Sequence, residues 1–234
     1  MKVSQLALVQ GMDDTRSALR RWNAAPLAAV RPWALGATAI SVGLLGAVWV
    51  ISRASTPDAS RYLLPGINAP ASMHAVLHLV FRNSLVLALH SFACLAGFIA
   101  GSSLPMQAQQ QRGWWRTAHE KAGPAAIAFV VVATTFSLCT QAYVLGSAAS
   151  TIAAHFEIGR GMLILTLLPH ALPELFALFL PLAAWMIASR RGAWEDLLAA
   201  TAATTAIAVP LLVVAANLEI FVWPHLLRLA SPVV

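Results

Sequence analysis

Charged residues are the scarcest class in this sequence. They make up 10% of the 234 residues, against roughly 25% in an ordinary soluble domain. This shortage argues against a soluble globular protein, because such a protein of this size needs a charged surface. Hydrophobic residues make up 59% of the chain, and the few charges fall mainly between long apolar runs. The composition therefore predicts a membrane protein.

Cysteine is nearly absent as well, and basic residues do not gather in one patch. Cys94 and Cys139 both lie within apolar runs, so neither a disulfide framework nor a cysteine-based metal site is expected. The formal net charge is +6, but the basic residues flank the apolar runs. A nucleic-acid partner would need a basic patch on a soluble face, and we expect none.

Five apolar runs reach the roughly 20 residues that are needed to cross the hydrocarbon core of a bilayer. They cover 33–52, 84–103, 124–147, 162–188 and 197–222. We therefore expect an all-α, polytopic transmembrane helical bundle of five spans.

The bundle is expected to occupy 32–224, after a cytoplasmic tail over 1–31 and before a short external tail over 225–234. Residues 72–83 are interpreted as an amphipathic lead-in at the membrane surface. Tryptophans near the run ends, such as Trp223, are typical of an interfacial aromatic belt.

Basic residues predict the orientation, because cytoplasmic loops carry an excess of lysine and arginine. Ten of them fall on the side of the N-terminal tail and five on the other side. We expect a multi-pass protein of the bacterial cytoplasmic (inner) membrane, with its N-terminus in the cytoplasm and its C-terminus outside. Membrane lipid is then an expected partner.

Prolines and glycines mark irregular and closely packed places in the spans. Pro169 and Pro173 each lack an N–H and clash with the preceding turn, which predicts a kinked or locally unwound fourth span. Gly97 and Gly101 form a GxxxG pair in the second run. Small residues at this spacing let helices approach closely, either within the bundle or in a homodimer.

Polar residues inside the runs are the candidate functional positions. A charged side chain such as a carboxylate costs on the order of 3 kcal/mol at the bilayer centre, so it must face protein or water. Counted at about 1.5 Å per residue from the predicted ends, five polar residues lie in one leaflet and Glu174 lies deeper. The five are His90, Gln141, His170, Asn217 and Glu219. We expect a buried polar cluster made of His90, Gln141, His170, Glu174, Asn217 and Glu219.

Several interpretations of this cluster compete. Its members can satisfy one another and fix the helix register, or they can form a proton-linked or solute-linked cavity. His170 and Glu174 share a helix face at i, i+4 and are candidate Zn²⁺ ligands, although the kink disturbs that geometry. No His-Glu-x-x-His motif is present, and Ser102 and Ser103 lie far from the histidines within the spans. We therefore expect neither an enzyme nor a cofactor.

The segment Pro169-His170-Ala171-Leu172-Pro173-Glu174-Leu175 resembles the signature of the stage II sporulation protein M family. Asn83, before the predicted second span, and Glu219, in the last span, resemble two further positions of that family. The likeness covers about residues 74–224. It points to Asn83, His170, Glu174 and Glu219 as family-motif residues.

The resemblance implies a non-enzymatic integral membrane protein that acts as a scaffold or as a permease-like subunit of a membrane complex. The expected partners are an ATPase subunit, for transport, or peptidoglycan-remodelling enzymes, for remodelling of the cell envelope. The alternatives are a stand-alone transporter, or an intramembrane metal-dependent enzyme that uses His170, Glu174 and Glu219.

Overall fold

A computed structural model describes residues 7–60, 62–99 and 113–233. The described chain is helical, and a single β-bridge between Pro65 and Ala69 is its only extended pairing. The α-helices are α1 (Ala7–Ala24), α2 (Pro26–Ala54), α3 (Met73–Phe98), α4 (Trp114–His155), α5 (Arg160–Arg191), α6 (Leu197–Asn217) and α7 (Trp223–Ala230). A 3-10 turn (Trp194–Asp196) precedes α6, and a π-helical turn (Leu218–Val222) joins α6 to α7.

Five helical segments are long and apolar enough to cross a membrane. They are Pro26–Ala54, Met73–Phe98, Ile127–His155, Arg160–Arg191 and Trp194–Ala230. This confirms the predicted all-α architecture with five candidate spans. Helix α1 falls outside the five, and α2 begins two residues after its end, within the stretch that we assigned to the N-terminal tail.

Helix α3 begins earlier than the apolar run that predicts the second span. Residues 72–83 are not a separate surface segment, because α3 runs without interruption from Met73. The start is fixed by Ser72, whose hydroxyl accepts a hydrogen bond from the Ala75 N–H at 3.2 Å, as an N-cap residue does. Polar residues in the first half of α3 interrupt its apolar pattern, so the predicted run begins only at residue 84.

The fourth span stays helical through its prolines. Helix α5 is continuous over Arg160–Arg191, so the chain is not unwound around His170. The bend that Pro169 and Pro173 should impose stays a prediction.

The C-terminal end is more structured than a tail. Helix α7 continues to Ala230, and the π-helical turn places one extra residue in the last span. Pro224 lies in the first turn of α7 and lacks an N–H, so it cannot hydrogen-bond to the carbonyl of Ile220, four residues earlier. A wider turn at this point accommodates that missing bond.

The chain divides into two compact units, and each contains segments of all five spans. The first unit comprises Met1–Ala37, Val86–Thr134 and Leu178–Ala208; the second comprises Thr38–Leu85, Thr135–Ala177 and Val209–Val234.

In the first unit, α1 packs beside the 3-10 turn, and Arg21 of α1 forms an ion pair with Asp196. Gly97 of α3 packs so closely on Trp185 of α5 that an added Cβ would lie 2.6 Å from Nε1 of that tryptophan. The lack of a side chain at Gly97 therefore allows close packing between helices of this chain. Gly101 lies outside the described residues.

The tryptophans differ from the expected aromatic belt. Trp33, Trp185 and Trp223 are no more than 6% exposed, whereas Trp49 is 39% exposed. The three buried rings pack within the protein instead of facing lipid.

Candidate functional site

The second unit contains a cavity of about 260 Å³ that combines polar side chains with an aliphatic wall. Arg82 reaches it from α3, His170 and Glu174 from α5, and Glu219 from the π-helical turn, with Trp223 of α7 beside them. The rest of the wall is made of Leu, Ile, Val and Ala side chains from these helices, from α2 and α4, and from the loop before α3. We call this the polar cavity.

The helix boundaries explain why these residues meet. Counted at about 1.5 Å per residue from the nearer helix end, Arg82, His170, Glu174 and Glu219 lie roughly 14 to 21 Å along their helices. All four therefore occupy the same level of the second unit, well inside the spans.

His170 is held beside an aromatic ring. It is buried, and its imidazole lies 5.7 Å from the indole of Trp223, with an angle of 60° between the ring planes. The indole is itself fixed, because its Nε1 donates to the Thr166 hydroxyl at 3.2 Å. That hydroxyl donates to the Leu163 carbonyl at 2.8 Å.

One ring nitrogen of His170 is unsatisfied. Its Nδ1 is buried and has no hydrogen-bond partner among the described residues. An imidazole that carries its proton on Nε2 presents a free lone pair at Nδ1. Buried polar atoms of native proteins are nearly always paired, so Nδ1 lacks a partner that such an atom normally has.

Glu174 lies among charged and polar neighbours. Its carboxyl group interacts with the like charge of Glu219, the amide of Asn83 and the opposite charge of Arg82. Arg82 acts on Glu219 in the same way. The Asn83 amide lies beside the carboxyl group, yet by strict geometry its Nδ2 atom makes no hydrogen bond within the described chain. Both carboxyl groups are half-buried, as expected of side chains that line a cavity.

Glu219 lies in the π-helical turn, next to residues on which the loop before α3 packs. Single π turns inside helices are frequent at functional sites. Gly66 of the loop packs on Pro224 and on the Ile220 carbonyl, and the Arg228 guanidinium donates to the Gly66 carbonyl. Leu64 of the same loop lines the polar cavity.

Of the six residues that we predicted to form one cluster, three line the polar cavity: His170, Glu174 and Glu219. The family-motif residue Asn83 lies beside them. The other three predicted members have different neighbours.

His90 belongs to the first unit, where its Nδ1 is 2.8 Å from the Leu178 carbonyl oxygen. The Nε2 of Gln141 donates to the Ser137 hydroxyl at 3.0 Å, and the Nδ2 of Asn217 donates to the Val213 carbonyl at 2.8 Å. Both amides thus bond within their own helices and stay outside the cavity lining.

Sequence reasoning missed Arg82 and Trp223. The sequence pattern places Arg82 in the amphipathic lead-in at the membrane surface, and Trp223 in the interfacial aromatic belt. The signal for Arg82 was the Ser72 N-cap after Pro70, which places the arginine in the third turn of a helix.

The described residues provide no metal site. No three histidine, cysteine or acidic side chains among them are placed to hold a metal ion together. His170 and Glu174 are therefore two potential ligands without a third. Ser102 and Ser103 lie outside the described residues.

Comparison with known proteins supplies no relative. No family model matches the chain, and neither a curated protein nor a solved structure does. Membership of the stage II sporulation protein M family therefore stays a prediction that rests on the short motifs around Asn83, Glu174 and Glu219.

Proposed function

We propose that this chain is a permease-like subunit of a membrane complex, and that the polar cavity is its solute-binding site. The observation that carries the proposal is a cavity of about 260 Å³, inside the candidate spans, that is lined by one arginine, one histidine and two glutamates. Ionisable residues within spans face a bundle interior or a water-filled cavity and commonly mark a substrate or ion pathway.

The unpaired atoms favour a binding site over a purely structural junction. If the cluster only fixed helix register, its polar atoms would satisfy one another. Instead, His170 Nδ1 and Asn83 Nδ2 are buried and unpaired within the described chain. An unsatisfied buried group costs about 1–3 kcal/mol, a cost that a bound ligand or water would remove.

Arg82 argues against a lipid covering on its side of the cavity. It is exposed, although it lies about 14 Å inside α3. An arginine in contact with hydrocarbon at such a depth would cost roughly 3 kcal/mol, so we infer that water or a polar protein surface covers this side of the cavity. A partner ATPase would also supply the energy for transport.

The same proposal includes the location. Five long apolar helices indicate a multi-pass membrane protein. We infer the bacterial cytoplasmic membrane and a cytoplasmic N-terminus from the excess of basic residues on that side of the spans. The polar cavity then belongs to the half of the bundle that faces outward.

Cysteine accessibility tests whether the cavity is open to water. Cys94 and Cys139 are replaced by alanine, and one cysteine is introduced at Ala171, which lines the cavity. We expect a cationic, membrane-impermeant methanethiosulfonate reagent to label Ala171→Cys from the outside of intact cells.

Two control variants lie on the same helix. Ala177→Cys replaces a fully buried residue, and Leu165→Cys a residue 59% exposed that is not part of the cavity wall; we expect neither to react. An unreactive Ala171→Cys in folded protein would show a closed, structural junction and would refute the binding site.

Mild affinity capture from native membranes, with an empty-bait control, tests the subunit role. We expect an ATPase to co-purify, equally with wild-type protein and with Glu174→Gln. Capture of cell-wall hydrolases instead would support the scaffold alternative, and a chain that is reproducibly captured alone would contradict both roles.

A further inference from the structure

The polar cavity carries an excess of one negative charge. Among the described residues of its wall, Arg82 is the only lysine or arginine, and Glu174 and Glu219 have the only carboxyl groups. The remaining titratable group of the wall is His170, which adds no charge when its imidazole is neutral. The helices α2 and α4 contribute only aliphatic side chains to the wall. With both carboxyl groups ionised, the wall has a net charge of −1.

An uncompensated charge inside a membrane span is costly, because a low-dielectric surrounding stabilises ions poorly. A single positive charge restores neutrality, and two species can supply it. One is a proton bound to a carboxyl group, and the other is a monovalent cation held between the carboxylates. The two species exclude each other, because both together would leave a net positive charge.

The wall also indicates what kind of cation fits. The aliphatic side chains that form most of it favour an apolar body over a hydrated metal ion. The aromatic ring of Trp223 also lines the cavity, and aromatic rings attract cations. A volume of about 260 Å³ is that of about nine waters at roughly 30 Å³ each, which leaves room for a small organic molecule.

We propose that the polar cavity binds a small organic monoammonium ion with an apolar body, in exchange for one proton. The ammonium group lies between Glu174 and Glu219, and the body lies against the aliphatic wall. The inference rests on the proposed function and names its ligand class. In the exchange a carboxyl O–H bond breaks, the proton leaves to water, and the ammonium takes its place, so the net charge of the cavity is unchanged.

Titration calorimetry on the purified protein in nanodiscs tests this exchange. The probe is phenethylammonium chloride, and 2-phenylethanol serves as its neutral analogue of similar size. We expect the ammonium ion to bind and the alcohol to bind at least tenfold more weakly. Between pH 9 and pH 5, affinity should fall as acid is added, approaching a tenfold loss per pH unit, because one proton competes with one cation.

Three results would overturn the inference: no binding of phenethylammonium, equal binding of the alcohol, or an affinity that does not change with pH. Any of these, together with a reactive Ala171→Cys and a captured ATPase, would overturn the ligand class and leave the proposed function standing. An unreactive Ala171→Cys would instead refute the proposed function.

Matched variants locate the binding groups. Glu174→Gln and Glu219→Gln each remove the excess negative charge, and we expect each to weaken phenethylammonium binding at least tenfold and to abolish its pH dependence. Asn217→Leu changes a polar residue of the same unit that lies outside the cavity wall, and it should leave affinity unchanged. Wild-type affinity in both glutamine variants would place the ammonium elsewhere.

A second readout covers variants that fail to fold. In the Ala171→Cys protein with both carboxyl groups intact, phenethylammonium should slow modification of the cysteine at least fivefold, and 2-phenylethanol should not. The absence of protection at a probe concentration that saturates the calorimetric signal would also contradict binding in the polar cavity.

Discussion

Gly66 connects the loop before α3 to the turn that carries Glu219, and its substitution by alanine tests that connection. Its φ angle is +82°, and an added Cβ would lie 2.6 Å from Pro224 Cγ and 3.2 Å from the Ile220 carbonyl oxygen. Neither neighbour can yield easily, because one belongs to a proline ring and the other to the helix backbone. We therefore predict that Gly66→Ala destabilises the fold and displaces the π-helical turn.

The expected magnitude has two parts. A non-glycine residue held at positive φ costs on the order of 1 kcal/mol. Forcing an extra methyl group into a packed interface costs about 1–3 kcal/mol. Gly66→Ala should therefore lower the free energy of unfolding by about 2–4 kcal/mol. Reversible unfolding in mixed micelles, followed by circular dichroism, measures this difference.

Alanine substitutions at three other glycines measure the backbone strain and the steric clash separately. Gly192 has φ +68° and no atom within 4 Å of its added Cβ, so alanine there should cost about 1 kcal/mol through backbone strain alone. Gly146 lies within α4, and its added Cβ would be 2.6 Å from Ile51 Cγ2, so alanine should cost about 1–3 kcal/mol through the steric clash alone. Gly46 in α2 has neither problem, and alanine there should be neutral or slightly stabilising.

The predicted steric contact of Gly66 would be refuted if Gly66→Ala lowered the free energy of unfolding by less than about 1 kcal/mol, or by no more than Gly192→Ala does. A stable Gly66→Ala protein with wild-type affinity for phenethylammonium would separately show that the loop does not position Glu219. If Gly66→Ala lost stability but bound phenethylammonium with full affinity after refolding in lipid, this would also show that the loop does not position Glu219.

Two further predictions concern polar contacts outside the polar cavity. Hydrogen bonds from the Ser60 N–H at 2.8 Å and the Thr151 hydroxyl at 3.3 Å hold the pKa of Asp58 below its usual 3.8. Their stabilisation is full above about pH 4 and is lost as the pH falls through the lowered pKa, so the unfolding midpoint of wild type should fall more steeply in acid than that of Asp58→Asn; parallel curves would contradict this. His90→Leu should lower the free energy of unfolding by about 1 kcal/mol through loss of the bond to the Leu178 carbonyl, with unchanged affinity for phenethylammonium; a tenfold loss of affinity would place His90 in the binding site.

Helix α3 shows how far the sequence could predict the site. The apolar pattern identified a second span but placed its start at residue 84, because histidines and Arg82 interrupt the pattern earlier. With that start, His90 appeared to be about 9 Å deep and a neighbour of His170. Counted from the start of α3 at Met73, it lies about 25 Å along the helix, in the part of α3 that belongs to the first unit.

His170, Glu174 and Glu219 were predictable for a different reason. A carboxylate is so unfavourable in hydrocarbon that Glu174 and Glu219 must face protein or water wherever the runs begin, and His170 lies one helical turn from Glu174. The π-helical turn at Glu219 was not predictable in the same way. Pro224 removes one helical hydrogen bond at this point, but the turn also packs against Gly66, a residue far away in the sequence.

Arg82 bears both on how a ligand reaches the polar cavity and on whether a partner protein covers it. Two half-buried glutamates alone would be accommodated in a bundle by hydrogen bonds and protons, without an exposed arginine. Because Arg82 is exposed within a candidate span, we propose that the side of the cavity that it lines is wet or covered by a polar protein surface. A wet opening lets small cations reach Glu174 and Glu219, and a covering partner can control that access. The affinity of the captured complex for phenethylammonium, compared with that of the isolated chain, therefore distinguishes the two: an equal affinity indicates an opening filled by water, and a changed affinity indicates a partner that covers it.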